Sequence, residues 1–146
     1  MSRPHPLGAI LGARSGDKGG QANLGIWVPD PTEHAAVQLA HGQSADLLAE
    51  PAAIALADAR YRWVNAFLTV DQLRVLLPET STLRIDRFEL PNLRAINFVL
   101  HGLLGRGVAE STRSDPQAKG LGEHLRARLV PIPEELRPSD NTSRTP

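Results

Sequence analysis

The sequence predicts an α+β sandwich, with an antiparallel sheet that carries helices on one face. Three observations predict it. Two short apolar runs, 7–13 and 24–28, flank a glycine-rich polar stretch and read as the arms of a β-hairpin. Residues 82–90, TLRIDRFEL, alternate apolar and polar as a strand covered on one face does. Between them lie stretches of helical period on an alanine-rich and leucine-rich background. The element order reads β-β-α-α-β-α-β-α, with no internal repeat.

Taken in order, the first strand covers 7–14 and the second 24–28, which Pro29 and Pro31 end because proline donates nothing to a ladder. Residues 31–50 have weak periodicity between prolines and read as a peripheral excursion. From Pro51 a helix is expected, with Ile54, Leu56, Tyr61, Val64 and Phe67 as its apolar residues and Pro51 in its first turn. Thr69 and Gln72 have capping-box spacing for a second helix, striped with Val70, Leu73, Leu76 and Leu77 and stopped by Pro78. In the strand at 82–90, Leu83, Ile85 and Phe88 face one side, with an irregularity near Arg87. Residues 92–104 read as the strongest helix. Leu93, Ile96, Val99, Leu100 and Leu103 form its core stripe, while Arg94, Asn97 and His101 form a polar one. A strand over 108–113, a helix over 117–129 with Leu121, Leu125 and Leu129 inward, and an edge strand over 130–133 follow. Residues 137–146 are polar and read as a disordered tail, which leaves 1–136 as one domain.

Composition narrows the function classes. A chain of 146 residues fits a single domain, and 41% hydrophobic with 22% charged residues suits a soluble globule. Lys plus Arg balance Asp plus Glu at 16 each, which argues against a dedicated nucleic-acid binder. The absence of cysteine excludes disulfides, thiolate nucleophiles and cysteine metal sites. No run approaches the roughly 20 apolar residues of a membrane span, and the N-terminal run is too short for a signal peptide. The expectation is a soluble, cytoplasmic protein with neither nucleic acid nor membrane as partner.

The stretch 14–23, RSGDKGGQAN, is the densest in chemistry. It reads as a β-β connection longer and more polar than a hairpin turn needs. Its candidate binding residues are Arg14, Ser15, Asp17, Lys18, Gly19, Gly20 and Asn23. Successive glycine amides can form an anion nest, and Arg14 and Lys18 supply positive charge. The alternative is architectural, with Asp17 capping turn amides and Arg14 pairing with Asp17. The pattern is not a P-loop. Asn92, Asn97 and His101 complete the binding candidates, the last two as polar groups aimed at a pocket from the 92–104 helix. The five histidines form no HExxH or other metal pattern, Ser15 has no nucleophile elbow, and no carboxylate pair has acid/base spacing. No metal or cofactor is therefore expected, and no residue is assigned a catalytic role. Trp27 and Trp63 read as core or interface packing.

Three stretches together resemble a known family: RSGDKGGQANLGIW at 14–27, ELPNLRAINFVLHGLLG at 89–105, and KGLGEHL at 119–125. They are similar to the small ferredoxin-fold domain of AtuA-like proteins, the acyclic terpene utilisation family. The resemblance covers roughly residues 7–30 and 58–134. It implies a ferredoxin-like sandwich and a setting in the catabolism of terpenoid or branched acyl-CoA compounds. It also implies a larger AtuA-type protein as partner, since the domain often follows a much larger one. Residues 31–57 then read as an insertion. Many relatives carry an acid where this chain has Gln21, so no metal site on that acid is implied.

Three functions compete. In the first, the chain is an accessory subunit lending the 14–23 stretch to a composite site for an acyl-CoA or similar anion. In the second, it is a stand-alone acyl-thioester lyase or hydratase using Lys18, Asp17 or His101. In the third, it is a structural oligomerisation module. A homodimer is expected without a partner, because a sheet with helices on one face leaves the other needing cover.

Overall fold

A computed structural model of the protein describes residues 3–31, 51–103 and 120–138. The expected excursion at 31–50 (but for Pro31), the strand at 108–113 and the tail from residue 139 on lie outside the described residues.

The architecture is the expected α+β one, ferredoxin-like, with an antiparallel sheet under helices. Four strands make the main sheet: β2 (Gly12–Lys18), β3 (Gln21–Trp27), β4 (Ile85–Leu90) and β5 (Ala95–Leu100), in the spatial order β2-β3-β5-β4. A separate two-stranded piece joins β1 (His5–Pro6) to β6 (Leu129–Val130). The helices are α1 (Pro51–Phe67), α2 (Val70–Leu76) and α3 (Leu121–Arg126).

A single apolar cluster joins the sheet to the helices. Ala22, Leu24 and Ile26 of β3 and Ile96, Phe98 and Leu100 of β5 are buried with Ala57, Tyr61 and Val64 of α1, Leu73 of α2, and Leu121 and Leu125 of α3. The Tyr61 hydroxyl donates to the Ala95 carbonyl at 3.0 Å, which ties α1 to the central strand. Burial raises the Tyr61 pKa above its ordinary value. The Gln72 amide donates to Thr69 Oγ1 at 3.1 Å, half of the expected capping box. Gly122 lets α3 close onto β2: a Cβ there would lie 3.2 Å from the Ala13 carbonyl.

Two elements differ from expectation. The first apolar run is not the first arm of the hairpin. Leu7–Ala9 is a 3-10 turn, and the arm begins at Gly12. Leu7, Ile10 and Leu11 are all buried, a spacing that suits a helical turn and not an alternating strand. Pairing runs from Gly12↔Trp27 to Lys18↔Gln21, so the turn shrinks to Gly19 and Gly20. Gly19 has φ 65°, which glycine adopts without a Cβ penalty. The long polar loop expected over 14–23 is therefore a tight turn between polar strands.

The second difference is larger. The helix expected over 92–104 is a short 3-10 turn (Pro91–Leu93) followed by β5. Ile96, Phe98 and Leu100 alternate inward, whereas Leu93 is 68% exposed. The same residues fit both periods, and the sheet decides. β5 is hydrogen-bonded to β3 on one side and β4 on the other, which no helix here could replace. Arg94, at φ 47° and ψ 47°, turns the chain between β4 and β5. Its guanidinium is fixed by Asp58 of α1 at 2.8 Å and by Asp30 at 3.7 Å.

Smaller departures follow from packing. β4 pairs without a bulge, so Arg87 faces the helices and Phe88 the other side. Arg87 donates from Nε to the Leu68 carbonyl at 3.0 Å and from its Nη2 to the Asn65 carbonyl at 2.7 Å. The last helix is shorter than 117–129, and Leu129 lies exposed in β6.

Candidate functional site

Alternation gives each strand of the main sheet two faces. With Ile26, Phe98 and Ile85 against the helices, the opposite face carries Gly12, Arg14 and Gly16 of β2, Gln21, Asn23, Gly25 and Trp27 of β3, Asn97 and Val99 of β5, and Asp86, Phe88 and Leu90 of β4. Among the described residues no element covers this face. Trp27 is 40%, Phe88 52% and Leu90 42% exposed.

The register sets out its rows. At one end, Gly12, Trp27, Ala95 and Leu90 lie abreast, an apolar row. Next come Arg14, Gly25, Asn97 and Phe88. Then follow Gly16, Asn23, Val99 and Asp86. The Trp27 indole leans over Gly12, where a Cβ would fall 2.5 Å from the ring. A shallow cavity is lined by Arg14, Ser15, Gly16, Asp17, Asn23, Gly25 and Trp27, so it wraps the β2 edge of the sheet.

At the hairpin-tip end a hydrogen-bonded chain crosses three strands. His101 Nε2 lies 2.8 Å from Asp86 Oδ2, and Nδ1 lies 3.0 Å from Gln21 Nε2. A carboxylate accepts but does not donate, so Nε2 carries the proton and Nδ1 accepts from the glutamine amide. Arg84 adds an ion pair to Asp86 at 3.3 Å. The hydrogen bond from His101, helped by Arg84, holds the Asp86 carboxyl below its ordinary value. Both imidazole nitrogens are thus engaged. The ring braces β3, β5 and β4.

The candidate residues separate by face. Arg14 and Asn23 are exposed on the open face, and Asn97 stands there half-buried. Among the described residues no carboxylate pairs with Arg14. Ser15 and Asp17 alternate to the opposite side of β2 from Arg14, so the Arg14–Asp17 pair of the architectural alternative is not made. Ser15 Oγ accepts from the Gly122 amide at 2.9 Å and so caps the start of α3 from a neighbouring strand. Lys18 closes β2 opposite Gln21, and Gly19 and Gly20 form the turn. Asn92 sits exposed in the 3-10 turn beyond the apolar row, away from the rest. Asn97 and His101 do share a surface, but on and just after a strand instead of a helix.

Sequence reasoning missed Gln21, Gly25, Asp86 and Phe88 as members of this face. The signal was present. Gly-Gly between two alternating runs is a hairpin-turn signature, and reading the strands right up to it sets the alternation that brings these residues together.

No curated protein and no solved structure matches the chain. The model of the AtuA ferredoxin-like domain matches residues 5–131, from β1 through β6. With most of its length matched and its sheet and helices in place, the chain belongs to the AtuA ferredoxin-like domain family.

Proposed function

We propose that this chain is an accessory module of a larger AtuA-type protein acting in the catabolism of terpenoid or branched acyl-CoA compounds. It lends its open sheet face to a composite site for an acyl-CoA or similarly anionic substrate. The observation that carries this reading is the division of labour on that face. Among the described residues, Arg14, Asn23 and Asn97 offer binding groups there, while His101 has both nitrogens engaged by Asp86 and Gln21. Such a surface binds and orients, with the described acid and histidine of the face paired to each other. The cytoplasm is the compartment this setting implies. Among the described residues no helix is long and apolar enough to cross a membrane.

Co-expression with a larger AtuA-type protein, followed by assay of acyl-CoA turnover, tests the reading. Association of the two proteins is expected, with turnover that requires both. Arg14→Gln should lower turnover and leave association intact. Turnover by the isolated chain would favour a stand-alone lyase or hydratase instead.

The apolar end of the face favours a second reading. Trp27, Leu90 and Phe88 form an exposed patch that a second copy of the chain could cover, as in an oligomerisation module. Self-association without partner binding or turnover would support it.

A further inference from the structure

Gly16 and Gly25 weaken the hairpin without an evident structural return. Glycine in a strand interior costs backbone entropy and gives the sheet no side chain to pack. Neither residue needs a positive φ. Among the described residues, a Cβ on Gly16 would meet nothing within 4 Å, and a Cβ on Gly25 would have only ordinary contacts, 3.8 Å from the Arg14 carbonyl oxygen and from Asn97 Oδ1. Gly12 differs, because the Trp27 ring occupies the space its Cβ would need. A strand glycine that neither turn nor packing requires leaves bare main chain that another group can approach closely.

Gly25 is also the centre of a square. Its cross-strand neighbours are Arg14 and Asn97. Its same-face neighbours along β3 are Asn23 and Trp27. One cation, two amides and one indole therefore surround a patch of bare backbone. Gly16, diagonal to Gly25, opens the square toward the hairpin tip. Asp17 lies on the other face, and Asp86, the acid on this one, is held by His101 and Arg84.

We propose that the slot over Gly25 binds a small carboxylate with a flat apolar body. The Arg14 guanidinium matches a carboxylate through paired N–H donors. The Asn23 and Asn97 amides supply further donors to its oxygens. The Trp27 indole gives the apolar body a wall, and the missing Cβ of Gly25 lets a flat group rest against the main chain. The slot is then the substrate-facing part of the module proposed above, and the assignment rests on that reading.

Benzoate, crotonate and inorganic phosphate are the probes, titrated into the full chain carrying Trp63→Phe so that Trp27 is the remaining indole. A saturable change in emission is expected with the carboxylates. Gly25→Ala and Arg14→Gln should each weaken binding by at least about tenfold, the scale of losing contacts to a charged group. Gly25→Ala should leave thermal unfolding no worse, since its Cβ has room. Amide shifts at Gly16 and Gly25 on carboxylate binding give an independent readout. The proposal is overturned if neither carboxylate saturates, if Gly25→Ala binds as well as the parent, or if phosphate binds equally well, which would mean a bare cationic patch. Association with the AtuA-type protein, measured on the same samples, keeps the two readings apart. Association without carboxylate binding removes the slot and leaves the module; binding without association supports the slot and removes the module.

Discussion

Gly12 and Gly16 stand on the same face of β2, four residues apart, under opposite constraints. A methyl group on Gly12 would push into the Trp27 ring at 2.5 Å, whereas one on Gly16 enters open space. Gly12→Ala should therefore cost about 1–3 kcal/mol, the usual penalty of forcing atoms into a packed contact, and shift Trp27 emission as the ring is displaced. Gly16→Ala should hold or gain about 0.4–1 kcal/mol, chiefly by restricting the unfolded chain. Urea unfolding of the two variants side by side reads both. Asp86 yields a prediction with a sign. Its folded pKa is depressed by the His101 hydrogen bond and by Arg84, so its contribution is present above the unfolded carboxylate value and is lost as pH falls through the folded one. Asp86→Asn should be less stable than the parent at neutral pH. The gap should close as pH drops through and below the ordinary carboxylate range. A gap that stays constant with pH would show that the ionised carboxylate is not what stabilises.

Among the elements, α1 shows how a strand can finish a helix. The carbonyls at its C-terminal end need partners, and Arg87 of β4 supplies them from across the layer. The same guanidinium pairs with Glu89 at 2.7 Å and keeps that carboxyl below its ordinary value. Arg87→Met keeps the apolar stem and removes the donors, so it should cost about 1.5–3 kcal/mol by denaturant unfolding. Thr69→Ala, which removes the α2 cap, should cost about 1 kcal/mol. The helices here were legible in sequence because proline, a capping box and an alanine-rich background act locally. β5 was not. Leu93, Ile96, Leu100 and Leu103 satisfy a helical period while Ile96, Phe98 and Leu100 satisfy an alternating one. The choice rests on hydrogen bonds to β3 and β4, which are distant in sequence.

For the whole molecule, the decisive asymmetry lies between the two faces of the sheet. One is sealed by α1, α2 and α3 around a single apolar cluster. The other leaves Trp27, Phe88 and Leu90 in contact with water. A dimer formed through this face is expected to dissociate when the patch is made polar. Light scattering of the parent should therefore show a concentration-dependent dimer, and Phe88→Ser should shift it to monomer with unfolding little changed, since that side chain is 52% exposed. A parent that is monomeric at every concentration would rule the dimer out and leave the patch to a different partner.

What the sequence determined by itself is what short-range chemistry encodes. Composition set the class; Pro51, Thr69 and Pro78 set the bounds of α1 and α2; alternation at 82–90 placed β4. The RSGDKGGQAN stretch was recognisable as dense in polar groups, and Arg14, Asn23 and Asn97 do share a surface. Tertiary structure alone decided which neighbours they have. Hairpin pairing right up to the Gly19–Gly20 turn sent Ser15 to α3 and Arg14 to the open face and set Trp27 over Gly12, while pairing with the distant β5 and β4 brought Gln21 and Asp86 onto His101. The physical reason is the two-residue period of a strand. A residue's face is fixed by the register of its pairing, and for β5 that register comes from β3, a strand remote in sequence.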